Sequence, residues 1–281
     1  MFTTYNDVYL NIRGKLVAEK ISMAELEAFE IIKFVTGKTR EQFLRDKYLH
    51  APALVAEQVD KLCARRLSGE PLAYILGEWE FYGITLKVTP DVLIPRSDTE
   101  ALVDCVLRRR EGAFRFLDLG CGSGCVGIAI GSMRDSCRGV LADISEGALK
   151  VAYRNASDAK LSSRLLCVRA DMTEPPQNLG KFDVIVSNPP YITTGEMEEL
   201  DRSVRDFEPR GALHGGEDGF DFYRAICENW IDSLNDGGLL AFECGIDQST
   251  QLEKILAGFG MKNIQTSRDT SGANRVVSCI R

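Results

Sequence analysis

Apolar and polar positions change their period twice along this chain. Up to about residue 70 the apolar positions recur at helical spacing, with Val55, Val59 and Leu62 on one face. Ser22-Met23-Ala24-Glu25 and Thr39-Arg40-Glu41-Gln42 both match the capping box, in which a hydroxyl and a carboxyl or amide satisfy the first free N–H groups of a helix. Gly37 and Gly69 stand where a left-handed C-terminal cap is wanted, and Pro52 suits a first helical turn. These signals predict a small helical bundle with no catalytic constellation of its own.

From Trp79 the period falls to two. Trp79-Glu80-Phe81 alternates, Tyr82-Gly83 turns and the run from Ile84 to Val88 alternates again, which predicts a hairpin at a domain joint. Ser97-Asp98-Thr99-Glu100 then opens a helix with Leu102, Val103, Val106 and Leu107 on its apolar side. Beyond Phe114 short apolar runs alternate with helical stretches. Strands are expected at 114–119, 140–144, 165–169, 182–187 and 239–243, with two more near Ile264 and Val276. Helices are expected at 125–133, 145–156, 220–234 and 248–258. Strands separated by helices imply a mostly parallel sheet with crossover helices. The expected organisation is a helical domain over 1–78, a hairpin linker over 79–90 and an α/β domain over 91–281.

Composition sharpens this picture in three places. The 281 residues suffice for one large α/β domain and a small accessory one. No stretch of eighteen apolar residues occurs, and the N-terminal residues lack a basic segment followed by an apolar one, so a cytoplasmic protein is expected. The nine cysteines are scattered without a C-x-x-C pair and mostly lie in apolar runs, as small buried hydrophobes do; no metal site is expected of them. Net charge is −7: residues 1–90 balance twelve Lys and Arg against twelve Asp and Glu, and the remainder sets 22 against 29. An acidic α/β domain does not show the footprint of a protein that holds a bare nucleic-acid backbone. It suits a small cationic cofactor or a basic protein partner better.

Candidate chemistry sits at the predicted strand ends. Asp118-Leu119-Gly120-Cys121-Gly122-Ser123-Gly124 joins a strand to a helix, and such a turn lets backbone approach a ligand closely. Its glycine spacing departs from the dinucleotide fingerprint, and Asp118 would repel a pyrophosphate while attracting a cationic amine and sulfonium. S-adenosylmethionine is therefore favoured over NAD. Asp143 ends the next strand, 23 residues after Gly120, where an acid accepts ribose hydroxyls; the plainer alternative is an N-cap for the helix near Ser145. Asp171 ends the following strand and is placed to take an adenine amino group with Met172 over the ring, the plainer alternative being a turn before Pro175-Pro176.

The fourth strand end carries Ser187-Asn188-Pro189-Pro190-Tyr191. Two prolines make a rigid turn that offers carbonyl oxygens and no N–H, and Asn188 adds a side-chain carbonyl. Two acceptors in fixed geometry hold both hydrogens of a planar –NH2 group, leaving its lone pair toward a methyl donor. Tyr191 would pack against the acceptor plane. The only histidines, His50 and His214, lie outside these motifs, in keeping with a transfer that needs no prior general base.

These residues, together with the segments Gly69 to Gly77, Ile94 to Glu100 and Phe207 to Leu213 and with Gly215-Gly216-Glu217-Asp218-Gly219, resemble the peptide chain release factor glutamine methyltransferases (the HemK/PrmC family). The resemblance runs from Gly69 to Val277. It departs at Ser97, where the family usually has a second proline, and at Cys121, where threonine is frequent. What it implies is N5-methylation of the glutamine in the Gly-Gly-Gln loop of class I release factors, with S-adenosylmethionine as cofactor. It also implies a Rossmann-like class I methyltransferase domain, a mostly parallel seven-stranded sheet with an antiparallel last strand, preceded by a helical domain that docks the partner. By motif position Gly120, Cys121, Gly122, Ser123, Gly124, Asp143, Met172 and Asn188 would contact the cofactor, and Asn188, Pro189, Pro190 and Tyr191 would grip the glutamine. Neither a membrane nor direct nucleic-acid binding is expected. The nearest alternative is a nucleic-acid amino-group methyltransferase, which faces the same geometric problem but needs a flipped base and a backbone groove.

Overall fold

The computed structural model describes residues 3–175 and 178–281. The Pro175-Pro176 turn therefore lies partly outside the described residues. Two compact units emerge: one runs to Gly77 and takes back Arg202–Phe207, and the other comprises Glu78–Asp201 and Glu208–Arg281.

The first unit opens with α1 (Tyr5–Ala18), α2 (Ala24–Thr36), α3 (Arg40–Asp46), α4 (Ala53–Leu67) and α5 (Leu72–Leu76). Ile12, Leu16, Ala28, Ile31, Val59 and Cys63 fill its core. The Thr39 capping box forms, with Gln42 N donating to Thr39 Oγ1 at 3.2 Å and Thr39 N to Gln42 Oε1 at 2.9 Å. The Ser22 box does not form. Met23 occupies the N-cap without a side-chain bond, because the tight turn out of α1 brings Ile21 O to Ala24 N at 3.2 Å and starts the helix one residue late for the box. A box without an expectation behind it caps α1, where Thr4 and Asp7 bond reciprocally. Pro52 is the N-cap of α4 rather than part of its first turn. Gly37 closes α2 in the left-handed conformation.

The second unit begins with the hairpin β1 (Glu78–Phe81) and β2 (Ile84–Lys87), turned through Tyr82 and Gly83, both at positive φ. A 3₁₀ turn over Ser97–Thr99 leads into α6 (Glu100–Arg109). Here too the expected side-chain cap is absent, because the polar side chains serve distant partners. Glu100 accepts Tyr82 N at 2.9 Å, Asp98 pairs with Arg275 and Thr99 accepts from Asn188.

β3 (Arg115–Leu119), α7 (Cys125–Met133), β4 (Arg138–Asp143), α8 (Glu146–Asp158), β5 (Leu165–Arg169) and β6 (Phe182–Ser187) follow. The chain then gives the short α9 (Arg202–Arg205) to the first unit before α10 (Asp221–Trp230), β7 (Leu234–Glu243), α11 (Ser249–Gly258), β8 (Lys262–Arg268) and β9 (Asn274–Ile280). Among the described residues these strands make one seven-stranded sheet of order β5-β4-β3-β6-β7-β9-β8, parallel except for β9, which runs against both neighbours. Alternate strand residues face opposite layers. Phe116, Leu141 and Val184 enter one core, and Leu117, Val140 and Ile185 the other. β7 starts five residues before the expected run, because Leu234 already pairs with Phe182 and the polar Asn235 to Gly238 form an irregular stretch before pairing resumes at Val184↔Leu239.

Strand order reverses between β3 and β6, which opens a crevice at their carboxyl ends, where α/β sheets bind ligands. Asn155 anchors the hairpin beside it. This buried amide donates to Lys87 O and Ser123 O, both at 2.9 Å, and accepts from Lys87 N at 2.7 Å. Asn155→Ala orphans three backbone groups, so it should cost about 3 kcal/mol in a urea unfolding experiment. A loss under 1 kcal/mol would contradict this account.

Candidate active site

The turn after β3 is tied to the neighbouring strand: Gly120 N and Cys121 N both donate to Ala142 O, at 2.8 and 2.9 Å. Gly120, Gly122 and Gly124 all have positive φ. At Gly120 it is the backbone, at φ +74°, that demands glycine, since the Met172 Cε that a Cβ would meet at 2.6 Å ends a flexible side chain. Beneath the turn Asp118 is buried and accepts Gly127 N at 2.9 Å. Burial pushes its carboxyl up to about 7, the Gly127 bond pulling it down and the nearby Asp143 charge adding to the rise.

Asp143, the last residue of β4, joins two backbone segments. Its Oδ2 accepts Gly122 N at 2.8 Å and its Oδ1 accepts Ser145 N at 2.9 Å. The N-cap of α8 is Ser145, whose Oγ accepts Ala148 N, so capping is not what occupies Asp143. Each carboxylate oxygen keeps a lone pair for a ligand hydroxyl. Asp171 follows β5 and holds a tight turn, its Oδ1 accepting Thr173 N and Oγ1 at 2.8 and 2.7 Å. Trp230 Nε1 donates to Met172 O at 3.1 Å and fixes the methionine beside the glycine turn.

The segment after β6 is braced from behind. Ser187 Oγ donates to Leu119 O at 2.6 Å, Ile192 N to Leu213 O at 2.9 Å and Gln248 Nε2 to Tyr191 O at 2.9 Å. A Cβ on Gly215 would lie 2.6 Å from Tyr191 Cα and 2.7 Å from Pro190 O, so only glycine lets the following loop press on the proline turn. Asn188 Nδ2 donates to Thr99 Oγ1 at 3.3 Å. The carboxyl of Glu243, at the end of β7, is buried with its Oε2 unpartnered, and burial pushes it up to about 7 against the nearby Arg275 charge. Tyr191 packs against the second core layer, and burial pushes its phenol up.

Three residues of this site lie outside the sequence expectations: Thr99, Glu208 and Glu243. Glu208 clamps two loops, accepting Ile94 N at 3.2 Å through Oε2 and the Arg96 guanidinium through Oε1. That gives the segment from Phe207 to Leu213 a role, since its Pro209, Gly211 and Ala212 then face Pro95 and Arg96 across one cavity. Glu243 had a signal in the chain: an acid ends an apolar strand at the edge shared by Asp118 and Asp143.

The cavity, about 440 Å³, brings together Asp118, Gly120, Cys121, Gly122, Ser123, Asp143, Asp171, Met172, Asn188 and Pro190. Gly124, Pro189 and Tyr191 do not line it. Gly124 is the N-cap of α7, Pro189 is buried and Tyr191 belongs to the layer behind. Four carboxyl groups, of Asp91, Asp118, Asp143 and Asp171, face one guanidinium, that of Arg96. Such a lining fits a cofactor that carries an ammonium and a sulfonium and opposes one that carries phosphates.

Sheet order, glycine turn and acid-lined cleft define a class I methyltransferase that uses S-adenosylmethionine. A crystal structure of a methyltransferase from Pyrococcus furiosus shares the fold, with a TM-score of 0.53 at 18% identity over 77% of this chain and 96% of that one. The model of the PrmC N-terminal domain matches residues 9–77, and that of the methyltransferase small domain residues 97–206. The release factor glutamine methyltransferase of Geobacter sulfurreducens is 40% identical over 94% of this chain and 92% of its own. That of Caulobacter vibrioides is 37% identical over the same shares. The chain belongs to the release factor glutamine methyltransferase family and is a protein-glutamine methyltransferase.

Proposed function

We propose that this enzyme methylates N5 of the glutamine in the Gly-Gly-Gln loop of class I release factors. The observation that carries the reading is the Asn188 amide in an acid-lined cavity: its Nδ2 is held by Thr99 so that Oδ1 is left as an acceptor for a planar –NH2 group, and the four carboxyl groups around it disfavour a polyanionic substrate. An amide nitrogen is a poor nucleophile because its lone pair is delocalised. Asn188 Oδ1 and a carbonyl of the proline turn accept both of its hydrogens, favour pyramidal nitrogen and stabilise the positive charge that develops there. The rigid turn holds that nitrogen in line, which lowers the entropic part of the barrier. S-adenosylmethionine, when bound, supplies the methyl group on its sulfonium.

In this reading Asp143 accepts the ribose hydroxyls, Asp171 and Met172 hold the adenine, and Asp118 with the turn from Gly120 to Gly124 receives the cationic end. Tyr191 supports the glutamine site from behind the proline turn. The helical unit docks the release factor through a groove of about 720 Å³ lined by Tyr9, Met23, Leu26, Phe29 and Leu44. Nine free cysteines support a reducing, cytoplasmic setting. Among the described residues no helix is long and apolar enough to cross a membrane.

Methyl-labelled cofactor offered with a release factor, its Gln-substituted variant and bulk nucleic acid should label the intact release factor alone. Label on nucleic acid would overturn the acceptor assignment. Asn188→Ala should lower turnover at least about a hundredfold, the scale of one donor or acceptor aimed at developing charge, while retaining much of the cofactor affinity.

Asp118 makes cofactor binding depend on pH. Its carboxyl, pushed up to about 7, must ionise to hold a cation, so binding releases a proton and weakens as pH falls. From pH 8 to pH 6 the Kd measured by calorimetry should rise about tenfold, and Asp118→Asn should flatten that dependence. An equal slope in the variant would assign the effect elsewhere. For docking, Leu26→Glu with Leu44→Glu should raise KM for the release factor severalfold and leave kcat unchanged. An unchanged KM would remove the groove from the interface.

A further inference from the structure

The cavity sets four carboxyl groups against a single guanidinium, that of Arg96. Its acids answer the ammonium and the sulfonium of S-adenosylmethionine. They do not answer the carboxylate that the same ligand carries on the carbon bearing its ammonium. An anion brought in among acids without a counter-charge is repelled and loses its water. Among the described residues no lysine, no histidine and no second arginine lines the cavity. Arg96 is therefore the one side chain there with the charge to meet that group.

Arg96 has donors to spare. It stands in extended backbone ahead of the 3₁₀ turn, where its carbonyl accepts Thr99 N at 3.1 Å. Its Nη2 donates to Glu208 Oε1, and Glu208 is fixed in turn by Ile94 N at 3.2 Å. The Glu208 side chain is 1% exposed and that of Arg96 38%, so the pair is buried at the carboxylate and open at the guanidinium. Nε and Nη1 of Arg96 bond nothing among the described residues. A guanidinium offers five N–H donors in a planar fork, enough for Glu208 and for a second carboxylate.

We propose that Arg96 is a cofactor-binding residue whose free donors hold the carboxylate at the methionine end of S-adenosylmethionine. The inference rests on the cofactor placement given above, with the cationic end at Asp118 and the turn after it, and holds whichever –NH2 group is methylated. Arg96 and Glu208 together are neutral. The pair therefore suits one carboxylate that arrives with its own ammonium and not a run of phosphates. Three residues after Arg96, Thr99 accepts Asn188 Nδ2 at 3.3 Å, and both of those residues line the cavity. One short segment thus anchors the methyl donor at Arg96 and the acceptor clamp at Thr99, which ties the position of one to that of the other.

The test is calorimetric titration of the full-length wild type, Arg96→Met and Asp118→Asn with two ligands, S-adenosylmethionine and its decarboxylated form. The second ligand keeps the adenine, ribose, sulfonium and ammonium and lacks only the carboxylate. The wild type should bind the complete cofactor about tenfold or more tightly than the decarboxylated one, the scale of a hydrogen bond to a charged group. Arg96→Met should weaken the complete cofactor by about that factor and leave Kd for the decarboxylated one within about twofold, so that the preference disappears. A wild type that binds both ligands equally would overturn the inference with no variant needed, which keeps the test decisive where Arg96→Met does not fold. Equal weakening of both ligands by Arg96→Met would overturn it too, and would leave Arg96 as a brace for the loops at Glu208. Asp118→Asn should weaken both ligands alike, since both carry the ammonium. If it weakens neither, the placement of the cationic end fails, and that failure is read separately from the fate of Arg96.

Discussion

Three carboxyl groups lie along one edge of the sheet, those of Asp118 and Glu243 buried and that of Asp143 half-buried, and each must be matched by donors or remain protonated. Much of the local architecture follows from that requirement. Asp118 takes the N–H of Gly127 in the first turns of α7, and Asp143 takes those of Gly122 and Ser145. The glycine turn is thus strung between two acids that hold it open for a ligand. Glu243 keeps a buried Oε2 without a partner, and burial pushes its carboxyl up. The edge as a whole is short of positive charge, and a cationic cofactor completes it.

The acceptor side is built on the opposite principle. The proline turn carries few donors of its own and is held in place by what lies behind it: Gln248 on the Tyr191 carbonyl, the Ile192–Leu213 bond and the close approach of Gly215. Glu208 ties the loop after it to the backbone at Ile94 and to Arg96. Rigidity here comes from many braces outside the cavity, which is why a small number of residues inside it can be placed so tightly. Electrostatic demand shapes the cofactor end, and mechanical bracing shapes the acceptor end.

Periodicity located every strand of the sheet: the inner strands, buried on both faces, read as short apolar runs, while the edge strands β5 and β8 are more exposed. It misjudged the start of β7, where Leu234 pairs ahead of the polar, irregular stretch Asn235 to Gly238. Caps were less legible. The Ser22 and Ser97 boxes have the right letters, yet a tight turn in one and tertiary partners in the other took the side chains elsewhere. Turn chemistry at strand ends was legible because glycine, proline and lone acids are rare inside apolar runs. Thr99 and Glu208 were hidden for a physical reason: each acts through a partner more than eighty positions away, and no local pattern records such a bond.

A clamp of two carbonyls suits any planar –NH2 group, an adenine amine as well as a glutamine amide. The chemistry at Asn188 therefore does not choose the acceptor. What distinguishes the two is the space and charge around the clamp. A flipped base arrives with a polyanionic backbone, whereas Asp91, Asp118, Asp143 and Asp171 make this cavity acidic and Arg96, its one cation, is already engaged by Glu208. A glutamine on a peptide loop brings no such charge. Family membership and electrostatics thus point the same way from independent grounds, one from shared sequence and the other from what this cleft would repel.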